Sequence, residues 1–323
     1  MSRLHVRAWR DDDLSAAAAL LAERVAELRV VEPLLPQTYL QREHCETALR
    51  TLLAADGASA ACATRGDAVC GFLVGAPRVG FPGPNVWVPA DGQAYDDQVV
   101  LAGLYSFLAQ QWVGAGLTAH YVLVPSCDRA SVDTWFHLVF GLQHVHAATE
   151  LTGPGDPPSV VPRVTLRRAR PDDIDTLVAL EQQLSHHLAR SPVLSHIEPE
   201  DPDELRAEWV RTLETAEEPT FVAEKDGAVV AAALGCPATL SSAHSGLARP
   251  DDAAMLAWVV VDQHHRGEGL SRPVADAVVG WAREQGYASI VVDWRSANLE
   301  SARAWRRLGF RDTFYRLHRN VGW

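Results

Sequence analysis

Lysine is almost missing from this chain of 323 residues: of 29 Lys and Arg, Lys225 is the one lysine. The skew points to genomic base composition rather than to chemistry. Cysteine is sparse too. Cys45, Cys62, Cys70, Cys127 and Cys236 are odd in number, unclustered and mostly flanked by apolar residues. That pattern excludes a disulfide framework and a zinc site built on paired short spacings, and the five read as small buried side chains. No stretch approaches the roughly 20 consecutive apolar residues that a membrane span needs. The N-terminus runs directly into a first strand without a secretory apolar core, so the expected location is cytoplasmic.

Positive charge is in deficit. The formal net charge of −12 is spread over both halves, a surface that repels phosphate backbones and makes nucleic acid an unsuitable partner. A carboxylate-rich cleft suits a cationic or amine-bearing molecule. The 47% hydrophobic and 22% charged residues are ordinary for a globular protein, and the length accommodates two domains.

Laid over itself, the chain repeats. Val6-Arg7-Ala8-Trp9-Arg10-Asp11-Asp12-Asp13-Leu14 matches Leu166-Arg167-Arg168-Ala169-Arg170-Pro171-Asp172-Asp173-Ile174 at an offset of 160, and the same offset pairs residues 65–69 with 225–229. The helix of Trp112 and the strand 121–124 parallel the helix of Trp281 and the strand 290–292, and Gly141 falls near the offset position of Gly309. Such spacing indicates duplication of a whole domain. Residues 151–158, rich in Gly and Pro, read as the linker. The expected domains are 1–158 and 159–323.

Each half predicts one plan: an opening strand, a helix begun by Asp13 or Asp173, a hairpin turning at Gly66-Asp67 or Asp226-Gly227, then alternating strands and helices. In the second half Met255–Val261 reads as a strand covered on both faces. The helix after it carries Val274, Val278 and Trp281 as one stripe. The expected class is mixed α/β, helices flanking a mixed sheet.

Arg266-Gly267-Glu268-Gly269-Leu270-Ser271 joins that strand to that helix. The glycines permit a tight bend that points successive N–H groups outward, and a helix N-terminus with unpaired donors is a place for a pyrophosphate. Pro273 in the first turn fits, and Arg266 adds a charged contact. No Gly-Lys-Ser/Thr follows, and the dinucleotide fingerprint is incomplete.

This segment resembles motif A of the GNAT superfamily of N-acetyltransferases, Arg/Gln-x-x-Gly-x-Gly/Ala, with Ser271 at the last position. Asn298-Leu299-Glu300-Ser301-Ala302-Arg303-Ala304-Trp305-Arg306-Arg307-Leu308-Gly309-Phe310 resembles motif B, with Trp305 where the family carries tyrosine. The resemblance covers residues 163–320. It implies an acetyl-CoA-dependent transfer to a primary amine, the acceptor being a small molecule, by direct attack in a ternary complex. Acetyl-CoA would lie between Met255–Val261 and the strand 288–294. Its amides would meet backbone near Val259 and Val261, its pyrophosphate Arg266, Gly267, Glu268, Gly269, Leu270 and Ser271, and its pantetheine arm Asn298 and Trp305.

The catalytic acid and base are less regular. Met255 stands where many relatives carry a glutamate base. Asp293, Asp252 and His244 are the substitutes, and Asp293, which interrupts Ile290-Val291-Val292, is preferred over its alternative role as a strand-end acid paired with Arg295. Tyr315 is the candidate general acid in place of Trp305. A non-catalytic CoA-binding or interaction module is the alternative that Met255 and Trp305 motivate. The first half lacks a Gly-x-Gly after Asn85–Val88; Asp133 and His137 read as its counterparts of Ser301 and Trp305. It is expected to hold no CoA, to pack against the second domain and to wall the substrate cleft. His144 and His146 share a strand face, but no third ligand has convincing spacing, so no metal is expected. The oligomeric state stays open.

Overall fold

The structure is a computed structural model that describes residues 3–80, 83–153, 159–195 and 201–322. Most of the expected linker, residues 154–158, lies outside the described residues. The strands are β1 (Leu4–Ala8), β2 (Ser59–Arg65), β3 (Ala68–Gly75), β4 (Asn85–Val88), β5 (Gln93–Tyr95), β6 (Ala119–Pro125), β7 (Gly141–Glu150), β8 (Val164–Arg168), β9 (Thr220–Lys225), β10 (Ala228–Pro237), β11 (Ala253–Val261), β12 (Ser289–Arg295) and β13 (Arg311–Asn320). The helices are α1 (Leu14–Val31), α2 (Arg42–Leu53), α3 (Gln98–Gly114), α4 (Arg129–His137), α5 (Ile174–Leu188), α6 (Pro202–Glu214), α7 (Ser271–Glu284) and α8 (Leu299–Arg307). No helix among the described residues is long and apolar enough to cross a membrane.

The repeated opening sequence is a repeated capping device. Asp13 accepts the backbone N–H of Arg10 at 2.8 Å and takes both Arg7 guanidinium nitrogens, at 2.7 and 2.6 Å. Asp173 accepts the N–H of Arg170 at 2.7 Å and takes Arg167 at 2.7 and 3.0 Å. The two-pronged fit of guanidinium to carboxylate fixes where each strand turns into its helix. Both carboxylates are buried, and the arginine partners help hold each well below the usual carboxylate range against the opposing effect of burial.

The chain forms two compact units that interleave in sequence. Unit one comprises Met1–Val145, Ser245–Asp251 and Asp312–Trp323; unit two comprises His146–His244 and Asp252–Arg311. In unit one, β1-β2-β3-β5 form an antiparallel sheet. There β6 lies between β4, parallel to it, and β13, antiparallel. Two apolar clusters fill this unit. Leu101, Leu104, Leu108 and Trp112 of α3 pack with Val122 and Val124, while Ala17, Leu21 and Val25 of α1 pack with Leu49 and Phe72.

Unit two carries the strand order β7-β12-β11-β10-β9-β8. From β8 to β11 the pairing is antiparallel, and β11 then runs parallel to β12 only over Ala253–Met255 against Ser289–Val291. The pairing with β10 shows why it stops. Leu234 pairs with Trp258 while Gly235 pairs with Leu256, leaving Ala257 as an extra residue on β11. Such a bulge bends the strand. The expectation of a strand covered on both faces fails here: Ala257 is exposed, and Trp258, Val259 and Val261 are half-buried. Their neighbour strand has diverged.

The stripe of Val274, Val278 and Trp281 is buried as expected. The helix comes so close to the sheet that a Cβ on Gly235 would stand 2.6 Å from Val278 Cγ1 and 3.1 Å from the Trp281 ring. The first half repeats this contact: a Cβ on Gly75 would stand 2.8 Å from the Trp112 ring.

The second motif has other first-half counterparts than the sequence suggested. Asp128 accepts the N–H of Ser131 at 3.1 Å at the start of α4, as Asn298 accepts that of Ser301 at 3.1 Å at the start of α8. Trp135 meets Phe140 edge-on as Trp305 meets Phe310, with the same backbone bond from Phe to Trp. Ser131 and Trp135, not Asp133 and His137, therefore match Ser301 and Trp305. The place of Gly309 is taken by Val139, held at φ 67°, not by Gly141.

Candidate functional site

Unit two opens a gap in its sheet where β11 and β12 part after Met255 and Val291. Val259 and Val261 lie on the bent part of β11, facing away from the core that holds Val260. Among the described residues, the β12 side of β11 beyond Met255 has no ladder partner. Unpaired strand amides of this kind are what an extended, amide-bearing ligand can use.

At the end of β11 the chain makes a short turn capped by Asp262, whose carboxylate accepts the N–H of His264 at 2.9 Å. It then passes through Arg266, Gly267, Glu268 and Gly269, all exposed, to Leu270, which is buried and anchors the start of α7. Gly267 sits at φ 84° and Gly269 at φ 79°, conformations that side chains with a Cβ rarely adopt. Among the described residues, no atom beyond the adjoining ones lies within 4 Å of where a Cβ would stand on either. No side chain caps α7; the N–H of Arg272 turns back to the carbonyl of Gly269 at 3.4 Å, and the positive end of the helix dipole lies at the loop.

The loop is braced by charge. Glu268 bonds Lys225 at 2.6 Å and His265 at 3.2 Å, and these two partners lower its pKa. Arg266 meets His187 at 3.3 Å, and burial together with Arg266 lowers the pKa of that imidazole. Arg266 and the Lys225–Glu268 pair thus set the charges of the loop. Ser271 begins α7 half-buried.

Asn298 is buried with its Oδ1 capping α8. Trp305 is packed on Phe310 and 8% exposed, which leaves only a margin of its ring for a ligand. Asp293 lies on β12 beyond the point where β11 leaves. Its side chain is 17% exposed and stands 3.3 Å from Nε2 of His244. Asp252 is exposed in a turn. Tyr315 belongs to unit one, where its hydroxyl donates to Asp312 at 3.0 Å; burial and Asp312 raise its pKa.

Sequence reasoning missed two features. The bulge at Ala257 has no signature among small and apolar residues. The second is the meeting of His146 with His244, whose ring centroids lie 4.6 Å apart and tilted; 98 positions apart, they gave no signal of meeting.

The Acetyltransferase (GNAT) family matches residues 182–310. Human N-acetyltransferase 8B is 36% identical over 53 residues, a segment that is 16% of this chain and 23% of that relative. Among solved structures, a GCN5-related N-acetyltransferase from Sphaerobacter thermophilus superposes with a TM-score of 0.61 at 16% identity, covering 98% of this chain and 95% of that one. A tandem GNAT protein from the clavulanic acid biosynthesis pathway gives a TM-score of 0.54 at 16% identity, with 99% of each chain covered. The fold is that of the GNAT acetyltransferases.

Proposed function

We propose that the chain is an acetyl-CoA-dependent N-acetyltransferase that transfers an acetyl group to a primary amine of a small molecule by direct attack in a ternary complex. One observation carries the reading: an exposed two-glycine loop feeds an uncapped helix N-terminus beside a strand bent open by a bulge. The loop amides of Gly267, Glu268, Gly269, Leu270 and Ser271, with Arg266, hold the pyrophosphate. The open side of β11 at Val259 and Val261 pairs with the pantetheine amides, bordered by Asn298 and Trp305. Asp293 takes the proton that the attacking ammonium must lose. Tyr315, engaged by Asp312 in unit one, has no step in this reading.

The two halves are read as tandem copies, 1–158 and 159–323, of which only the second binds the cosubstrate. The first-half counterparts of the loop and gap are filled. Two residues, Asp96 and Asp97, join β5 to α3, and Asp97 accepts the N–H of Val100 at 2.9 Å, capping the helix from within. The buried amide of Gln93 donates to the carbonyl of Leu123 at 3.0 Å, bridging β5 to β6 where the strands would part.

The test is release of CoA from acetyl-CoA in the presence of primary amines such as n-butylamine, spermidine, glucosamine and a peptide N-terminus. A rate above the no-amine control, with the acetylated amine found by mass spectrometry, is expected. Tight CoA binding without amine-dependent turnover across the panel would overturn the enzymatic reading in favour of a binding module.

A further inference from the structure

Behind Asp293 stand two imidazoles that the transfer reading leaves unused. His244 is 0% exposed and His146 1%. The residue before His244 and His244 itself both bond through their backbone N–H groups to the hydroxyl of Ser241, at 3.2 Å, so a hydroxyl-closed turn sets the ring against Asp293. His146, on β7 beside β12, closes the other side of that ring. Burying two titratable rings against one carboxylate costs solvation that an apolar pair would not.

We propose that Asp293 and His244, with His146 packed behind, act as one proton-accepting unit, so that the amine's proton comes to rest on an imidazole rather than on a carboxylate; this rests on the acetyl-transfer reading. An isolated carboxylate titrates near 4 and is a weak acceptor at neutral pH, whereas an imidazole near 6.5 is matched to it. The half-open carboxylate meets the ammonium and the buried ring holds the proton. Transfer to Nε2 runs through the Nδ1–H tautomer, the form in which the Nε2 lone pair faces Asp293. The ammonium N–H bond breaks, its proton bonds Asp293 and passes to Nε2, and a carboxylate–imidazolium pair remains. The amine lone pair then forms the C–N bond, the C–S bond breaks, and the thiolate takes the second amine proton. The first proton leaves to solvent before the next turnover. Among the described residues, Asp293 from β12 and His146 from β7 face His244, and Arg295 lies two residues along β12 on the face of Asp293. His244 and His146 are thus positioning and proton-holding residues, and Asp293 is the one that touches substrate.

The test has two arms. In the first, kcat/KM is measured against pH for the parent, His244→Gln and Asp293→Asn, with the amine of highest turnover, and CoA affinity is measured by calorimetry. His244 must be neutral to accept, so activity rises with pH through the midpoint of the pair. His244→Gln should move that acid limb down by at least one pH unit, lower the plateau tenfold or more, and leave CoA affinity within twofold. A lower plateau with an unmoved limb assigns His244 a merely structural role and overturns the proposal. The second arm needs only folded parent and Asp293→Asn, followed by 15N imidazole shifts across the 13 histidines. Removing a carboxylate 3.3 Å from the ring should change the titration of one imidazole and leave the others as in the parent. If no histidine midpoint moves, the pair is uncoupled and the proposal fails. Turnover with uncoupled groups sinks the proton unit alone; coupling without turnover sinks the enzymatic reading.

Discussion

Gly269→Val separates the fold from the ligand. The residue sits at φ 79° and, among the described residues, no atom beyond the adjoining ones lies within 4 Å of an added Cβ. In the ligand-free protein the cost is backbone strain, about 1–3 kcal/mol for a β-branched side chain held at positive φ. That is affordable within a domain stability of roughly 5–15 kcal/mol. The new isopropyl group would stand in the open space beside the outward-facing amides of the loop, where phosphate oxygens must come. Loss of two charge-assisted amide contacts, each worth about 1.5–3 kcal/mol, removes at least about 3 kcal/mol of binding, or on the order of a hundredfold in Kd. Calorimetric titration with CoA, beside a circular dichroism melt of the same sample, reads both quantities. A folded variant that binds CoA within threefold of the parent would show that the loop has been misassigned.

Three further outcomes are expected. CoA titration of the parent should give one site per chain; two equivalent sites would overturn the assignment of an inactive first copy. Asp173→Asn should lower stability by about 1–3 kcal/mol in urea melts, since it removes the charge that caps the helix and one of the two carboxylates on Arg167, which keeps Glu224 at 2.8 Å. In the parent, a lowered Asp173 pKa contributes stability present above the unfolded carboxylate value near 4 and lost as pH falls through the folded one; melts that do not steepen below pH 4 would contradict this. Gly235→Val should fail to fold or lose several kcal/mol, because its Cβ would stand 2.6 Å from Val278 in a close-packed interior; unchanged stability would mean that α7 does not rest on β10.

The sequence made legible whatever depends on neighbours along the chain. Capping by Asp13 and Asp173, the hairpins at Gly66 and Gly227 and the stripe on α7 all follow from local chemistry, and all are found. The bulge at Ala257 was not legible, because a bulge is a relation between two strands and either strand alone looks regular. The meeting of His146 with His244 is likewise a product of topology. The first-half counterparts of motif B were misplaced for a different reason. The offset of 160 that matches Arg7 to Arg167 grows to 170 at Trp135 and Trp305, and the change is hidden because Val139, not a glycine, occupies the left-handed position at φ 67°. Glycine was used as the landmark where the second copy had it and the first did not.

The growth of that offset bears on why one half is read as the cosubstrate site. Between β5 and α3 lie residues 96–97, and between β11 and α7 lie residues 262–270. The second copy therefore has a loop with length to turn its amides outward, and it leaves the first turn of α7 without a side-chain cap. The first copy goes from strand to helix in two residues, and the second of them caps the helix with its own carboxylate while pairing with Arg65 at 2.5 Å. An internal carboxylate at that point satisfies the donors and sets negative charge where a phosphate would come. The burial, the Arg–Asp capping and the Gly–Trp contact that fold each half are kept in both. The differences that bear on a ligand include the strand–helix junction and the side chain of Gln93 across the parting strands. Folding and ligand binding draw on different residues of one plan, so one copy can lose the second property while retaining the first.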